Sequence, residues 1–170
     1  MPYELSRLNL LIVEGEAAMA ATWRSLLGGF GIREPAIVAD RAKAWDLLRE
    51  RQSRPDVLIC RWEPPAAGDA ADGLDLVRQL RRDPDSPMPF LPVIVATATV
   101  TRERIREALD AGVNEVLVLP LSPKALETRL REVVEKPRPF VRSSGYFGPD
   151  RRRFARPDYP GPFRRSGEES

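Results

Sequence analysis

The run Asp56-Val57-Leu58-Ile59-Cys60-Arg61 sets four apolar residues in a row between Arg54-Pro55 and Pro64-Pro65. A short apolar run bounded by breakers reads as a strand buried on both faces. Such strands lie in the middle of parallel sheets covered by helices. Residues 8–13 repeat the pattern and end at Glu14-Gly15-Glu16. A helix is predicted next, with Trp23, Leu26, Leu27 and Phe30 inward and Gly28-Gly29 at its end. Residues 32–39 predict a second strand, placed at a sheet edge by Pro35. Asp40 is the expected N-cap of a helix that buries Ala44 or Trp45 and Leu48.

After the central strand, residues 63–71 read as a loop, and residues 73–82 as a helix with Leu74, Val77 and Leu80 inward. Residues 83–92 hold four prolines and predict no regular element. Residues 93–96 form the fourth predicted strand, followed by Thr97. Thr101 is the expected cap of a helix with the stripe Ile105, Ala108 and Leu109, closed by Gly112. Residues 115–119 predict the fifth strand. Ser122-Pro123 predicts an N-cap with proline in the first turn, and a last helix burying Leu126, Leu130, Val133 and Val134. Strand and helix thus alternate five times, which predicts an α/β parallel sheet with helices on both faces. Ligands in such folds meet the carboxyl ends of the central strands, and Arg61 stands at that end.

Charge divides the chain. Residues 1–136 carry 19 basic and 21 acidic side chains, whereas residues 137–170 carry eight arginines and four acids. The expected organisation is a folded body over residues 6–136 and a Pro/Arg-rich, largely irregular tail over residues 137–170. Inside the tail, Tyr146-Phe147-Gly148-Pro149-Asp150-Arg151-Arg152 is echoed by Tyr159-Pro160-Gly161-Pro162-Phe163-Arg164-Arg165. The shared pattern is Tyr-x-Gly-Pro-x-Arg-Arg. Three uses are open for it. The motif can dock like a peptide on a partner or on this protein's own body. Its arginines and aromatics can pair phosphates and stack bases of nucleic acid or a cyclic dinucleotide. It can also be a solubilising extension.

Composition removes several chemistries. The chain has no histidine, so it has no His general base, His metal ligand or phosphohistidine. Cys60 is the only cysteine, which excludes an internal disulfide and suggests the cytoplasm. No apolar run approaches membrane-spanning length, and the start of the chain has no secretion-signal pattern. There is no P-loop and no dinucleotide fingerprint. The expectation is a protein that is not an enzyme and needs no cofactor or metal.

The order and spacing of several segments carry a resemblance. Leu11-Ile12-Val13-Glu14, Pro55-Asp56-Val57-Leu58-Ile59, Asp72-Gly73-Leu74, Leu91-Pro92-Val93-Ile94-Val95-Ala96-Thr97-Ala98, Ala108-Leu109-Asp110-Ala111-Gly112 and Pro120 resemble the receiver domain of two-component response regulators. That resemblance implies the flavodoxin-like, CheY-like strand order 2-1-3-4-5. It also implies a phosphoacceptor aspartate ending strand three, an acid pair for Mg²⁺ after strand one, a Thr/Ser after strand four and a Lys after strand five. Here those positions hold Arg61, Glu14 with Gly15, Thr97 and Leu119. Arginine has no nucleophilic oxygen and stays protonated, so it forms no acyl phosphate. A guanidinium repels Mg²⁺, and leucine neutralises no phosphoryl charge.

The pocket is therefore expected to be degenerate. Arg61 can pair with Glu14, Glu16 or Glu63, recruit an anion, or reach solvent. The implied role is that of a stand-alone bacterial pseudo-receiver in phosphorelay signalling. It would act without phosphorylation by meeting a signalling protein: a histidine kinase, another regulator, or a second copy. The resemblance places that contact on the helix four, strand five and helix five surface, where Arg102, Arg106, Glu115, Lys124, Glu127 and Arg131 fall. A regulator binding nucleic acid or a cyclic dinucleotide through the tail is the alternative.

Overall fold

The computed structural model describes residues 2–64 and 73–152. The chain enters through a 3-10 turn, Leu5–Arg7, and then forms β1 (Leu10–Val13), α1 (Ala17–Gly29), β2 (Ala36–Val38), α2 (Arg41–Arg49) and β3 (Val57–Arg61). It continues with α3 (Gly73–Arg82), β4 (Val93–Thr97), α4 (Arg102–Ala111), β5 (Glu115–Val118) and α5 (Pro123–Glu135). Two further strands follow, β6 (Phe140–Ser143) and β7 (Tyr146–Pro149). β1 to β5 form one sheet in the order β2-β1-β3-β4-β5, every pair parallel. This is the flavodoxin-like order, with β3 central.

Alternation along the strands explains the two cores. Successive side chains of a strand point to opposite faces. Leu10, Ile12, Val57, Ile59, Ile94 and Leu117 therefore pack on one side with Trp23 and Leu27 of α1 and with Leu126 and Leu130 of α5. Leu11, Leu58, Cys60, Val93 and Val95 pack on the other side with Ala44 and Leu48 of α2, Val77 and Leu80 of α3, and Ala108 of α4. Cys60 is fully buried there, and burial pushes its thiol up to about 12 from an ordinary 9.0. The contribution of a neutral Cys60 thus holds below pH 9 and is lost as pH rises through the folded value. Native protein at pH 8 is expected to leave Cys60 unalkylated by iodoacetamide over hours, while unfolded chain reacts in minutes. Equal rates in the two states would contradict this placement.

The helix caps sit where the sequence puts them. The Asp40 carboxylate accepts from the Lys43 N–H at 2.9 Å, the Thr101 hydroxyl from Arg104 N–H and the Ser122 hydroxyl from Ala125 N–H, both at 3.2 Å. Gly112 closes α4 in the left-handed region with φ 101°. The first strand starts later than expected, at Leu10, because Leu5 and Leu8 bury themselves around the 3-10 turn instead. The second strand shrinks to Ala36–Val38, since Pro35 cannot donate to the ladder. The fifth ends at Val118, one residue short of the expectation.

The larger correction concerns residues 137–170. Part of this stretch is regular: β6 and β7 pair as an antiparallel hairpin, Phe140 against Pro149 and Ser143 against Tyr146. The hairpin lies on α3 and α4. Arg138 fastens its entry. The buried guanidinium donates to Asn114 O and, at 2.9 Å, to the buried carboxylate of Glu115, which also pairs with Arg129 at 3.3 Å. Arg81 of α3 is buried beneath the hairpin and donates to Gly112 O, Pro89 O and the Asn114 side chain. The Phe140 ring covers Arg81 at 4.8 Å and meets Phe90 and Phe147 edge-on or tilted. Burial pulls the Arg81 guanidinium down to about 10. Short strands ending in Gly148-Pro149 carry little pattern of their own; docking supplies the stability the sequence pattern lacks.

Candidate functional site

The carboxyl ends of β1, β3 and β4 bring the pocket residues together. Glu14 follows β1 and is held by its own backbone, its N–H donating to Val38 O at 2.9 Å. Its carboxylate is buried and accepts from three donors: Glu16 N–H at 3.0 Å, Arg61 at 3.3 Å and the Trp23 indole N–H at 3.4 Å. Arg61 is the last residue of β3, and its second partner is Glu63, which accepts from Nε at 3.0 Å. Of the three acids considered for Arg61, Glu14 and Glu63 bond its side chain, while the Glu16 N–H donates to the Glu14 carboxylate.

Glu63 is the hinge of the pocket. The oxygen that takes the Arg61 Nε–H also accepts from the Ala98 N–H at 2.9 Å, and the other oxygen lies 3.4 Å from the Thr97 hydroxyl. Thr97, fully buried at the end of β4, also accepts from Thr99 N–H at 3.2 Å and from the Arg104 guanidinium at 3.4 Å. Arg104 stands in the first turn of α4. It donates to Thr99 O at 3.0 Å and Trp62 O at 3.2 Å, and lies 3.8 Å above the Trp62 ring. A chain of partners therefore runs Glu14, Arg61, Glu63, Thr97, Arg104 and Trp62. It is a satisfied network of charges and dipoles, with both Arg61 and Glu63 under one third exposed.

The remaining positions contribute nothing polar. Gly15 has no side chain, and Leu119 is buried in the α1 and α5 core beside Leu126. The resemblance implies Mg²⁺ at this pocket, and the residues present do not fit it. Glu14 is committed to three donors, and Arg61 brings a cation where a carboxylate is needed. Among the described residues no three His, Cys, Asp or Glu side chains stand together as a metal site.

Sequence reasoning missed Arg104, because an arginine in the first turn of an amphipathic helix looks like part of a solvated face. Its signal was Trp62, an aromatic with a polar neighbour on both sides at the end of a buried strand. On the α4, β5 and α5 surface, Arg102, Arg106 and Lys124 are exposed. Arg131 is half-buried and bonds Glu127 and Glu135. Glu115 is not displayed there; it is buried between Arg138 and Arg129.

In the tail, Tyr146 and Gly148 are buried, the Tyr146 hydroxyl donates to Pro149 O at 2.8 Å, and Arg151 pairs with Asp110 while lying 4.3 Å over the Tyr146 ring. Arg152 is exposed. The first motif copy is thus docked on this protein's own body. The second copy, with Tyr159, Gly161, Pro162, Arg164 and Arg165, lies outside the described residues.

A parallel sheet in the order β2-β1-β3-β4-β5, with charged groups gathered at the ends of β1, β3 and β4, defines the class of CheY-like doubly wound domains. The model of the response regulator receiver domain matches residues 10–131, and the chain belongs to that family. The chemotaxis protein CheY of Pseudomonas aeruginosa is 30% identical over 129 residues, which are 76% of this chain and 98% of that protein. The chemotaxis protein CheY-3 of Vibrio cholerae is 29% identical over 129 residues, covering 76% of this chain and 93% of that one. The solved chemotaxis protein CheY4 of Vibrio cholerae superposes with a TM-score of 0.62 at 24% identity, covering 75% of this chain and 98% of that one. Receiver domains belong to two-component signalling and act with signalling proteins such as histidine kinases and other regulators. No helix among the described residues is long and apolar enough to cross a membrane.

Proposed function

We propose that this receiver acts as a phosphorylation-independent interaction module in two-component signalling. The observation that carries the reading is the Arg61 guanidinium at the end of β3, bonded on one side to Glu14 and on the other to Glu63. Among the described residues no carboxylate is free at that position to accept a phosphoryl group. The Thr97 hydroxyl and the Ala98 N–H, which face the same space, already have an internal carboxylate as their partner. The pocket supplies its own anion and its own cation, so its arrangement does not wait for a signal from a phosphodonor. An always-set receiver of this kind transmits by being bound, through exposed positions such as Arg102, Arg106, Lys124 and the half-exposed Val118 on α4, β5 and α5.

The test is labelling with radioactive acetyl phosphate and Mg²⁺, with acid- and base-stability of any product followed. The expected incorporation is below one hundredth of that of the Pseudomonas chemotaxis receiver under the same conditions. Stoichiometric, base-labile label on the full-length chain would overturn the reading.

A further inference from the structure

The β6–β7 hairpin stands on one of its two edges. β7 is buried at Tyr146, Gly148 and Pro149, whereas Val141, Arg142 and Ser143 of β6 are exposed. The Phe147 carbonyl of β7 lies against the glycine that closes α4, 3.2 Å from where a Gly112 Cβ would stand. β7 is therefore the edge on the body, and β6 is the edge toward solvent.

The bonding pattern says which groups the outer edge offers. The Asp150 N–H donates to Pro139 O at 2.8 Å, so these two residues form a bonded pair. Bonded and non-bonded pairs alternate along an antiparallel ladder, and the register then makes Val141–Gly148 and Ser143–Tyr146 bonded pairs. Phe140 and Arg142 fall in the pairs between, opposite Pro149 and Phe147, and turn their N–H and C=O groups away from β7. Among the described residues none of these four groups has a backbone partner. Residues 140–143 include no proline, so β6 is an open template for another strand. Apolar surface flanks it. Val141 is 39% exposed, and Phe90, packed edge-on against Phe140 and Phe147, is 60% exposed.

The edge is complementary to itself. A two-fold contact requires that residue i meet j and that j meet i. Two β6 strands laid antiparallel with Val141 on the axis set Phe140 of each copy opposite Arg142 of the other. The four free groups of each copy are then all used, in N–H···O bonds between the two strands. Each guanidinium meets a ring on its own face of the sheet, and the two Val141 side chains meet on the other face. Neighbouring registers lack this match. Centring on Arg142 opposes two guanidinium groups. Centring on Phe140 brings Arg142 opposite Arg138, whose side chain is held in the body by Glu115.

We propose that β6 is a self-association edge, through which two copies of this chain join into a four-stranded antiparallel sheet, β7-β6-β6-β7, with the two-fold axis at Val141. The assembly stops at two copies, because the other edge of each hairpin is closed by the body. The contact lies beside Asn114 and the start of β5, at the opposite end of the sheet from Arg61 and Thr97. It goes beyond the reading above and does not depend on the pocket or on Arg102, Arg106 and Lys124.

Sedimentation of the full-length protein over a range of concentrations tests it. A contact of a few strand bonds is small and transient, so half-association is expected at about 100 µM, with the average mass rising from one chain to two and no further. Arg142→Pro removes an N–H that β7 does not use, so it should leave the hairpin paired and weaken association at least tenfold. Val141→Lys sets two cations on the axis and should weaken it as much. Oxidation of Val141→Cys should yield a covalent dimer, and Arg142→Cys, off the axis, far less, with the native Cys60 buried out of reach. Slow exchange of the Ser143 and Gly148 amides shows in each variant that the hairpin is intact. In the parent chain the Phe140 and Arg142 amides should exchange more slowly as concentration rises, while the Ser143 amide does not change. A mass of one chain up to about 1 mM would overturn the proposal. So would a dimer that Arg142→Pro and Val141→Lys both leave unchanged, which would belong to another surface. Phe140 and Arg142 amides that are slow at every dilution would show that the chain itself covers β6, and would overturn it as well.

Discussion

Arg138→Ala is expected to cost about 3 kcal/mol of stability and to release the β6–β7 hairpin, because it orphans a buried carboxylate. Arg138 and Glu115 are both nearly inaccessible, at 4% and 7% side-chain exposure, and lie 2.9 Å apart. Breaking such a pair costs more than its net worth, since one charge stays behind without its partner. Arg129 remains beside Glu115 at 3.3 Å, but it is one third exposed and cannot replace the lost contact fully. The melting temperature should fall by roughly 10 °C, at about 2–4 °C per kcal/mol for a chain of this size. Amide exchange should accelerate across residues 140–149 well before it does in the sheet.

The pH dependence separates an orphaned charge from a simple loss of packing. Burial pushes the Glu115 carboxyl up, and Arg138, followed by Arg129, pulls it back down. Removing Arg138 takes away the chief opposing influence, so the carboxyl rises further. A group raised in the folded state contributes stability that is full below its unfolded value and is lost as pH rises through its folded value. The deficit of Arg138→Ala should therefore be greatest near pH 7 and shrink as the solution is acidified and Glu115 takes up a proton. Adding Glu115→Gln should recover at least a third of the loss at neutral pH. A double variant less stable than Arg138→Ala alone, or a deficit independent of pH, would show that Glu115 is not the orphan.

The legible parts of the fold are those where local pattern and tertiary demand agree. The runs at β1, β3 and β4 are apolar on both faces because both faces are covered, and a sequence can state that without help. The caps at Asp40, Thr101 and Ser122 and the glycine after α4 are equally local. The hairpin is a different case. Each of its strands has four residues, β6 is mostly exposed, and the pair holds together only on the α3 and α4 surface. Tyr146 to Arg152 read as a candidate linear motif, and nothing in the pattern tells the body of the chain from a partner as the surface it packs on; here Tyr146 and Arg151 pack on the chain itself. Arg81 and Arg138 were invisible for a related reason. A buried guanidinium is justified by backbone carbonyls and a carboxylate distant in sequence, and no spacing records those.

The pocket was legible as a set of losses and not as a construction. Reading Arg61, Gly15 and Leu119 against the receiver pattern shows what is missing. It does not show that Glu63, two residues beyond Arg61, turns back to fill the space. That requires Ala98 N–H and the Thr97 hydroxyl to face the end of β3, which the register Arg61↔Ala96 between β3 and β4 provides. The consequence reaches α4: Thr97 is shared between Glu63 and Arg104, and Arg104 is clamped on Trp62. One carboxylate therefore sets both the pocket and the first turn of the helix that leads to the exposed surface.

Glu63→Ala is accordingly expected to lower stability by about 1–2 kcal/mol, a modest figure because the site is partly open to water, which can solvate the freed donors. The local effect should be larger than the global one. The Ala98 amide loses its acceptor, and exchange over residues 97–104 should speed at least tenfold while the β1 and β3 amides stay unchanged. Arg61, Ala98 and Thr97 would then present three converging donors with no anion between them, apart from the reach of Glu14 to Arg61. Acetate or inorganic phosphate at tens of millimolar should restore slow exchange in Glu63→Ala and leave the parent chain unaffected, because only the variant has room for it. Glu63→Gln keeps the shape and loses the charge, so it should fall between the two. If exchange over residues 97–104 is the same in all three proteins, Glu63 does not hold the start of α4. If the variant loosens and no anion tightens it again, the space that Glu63 fills is a packing contact and not an anion cradle.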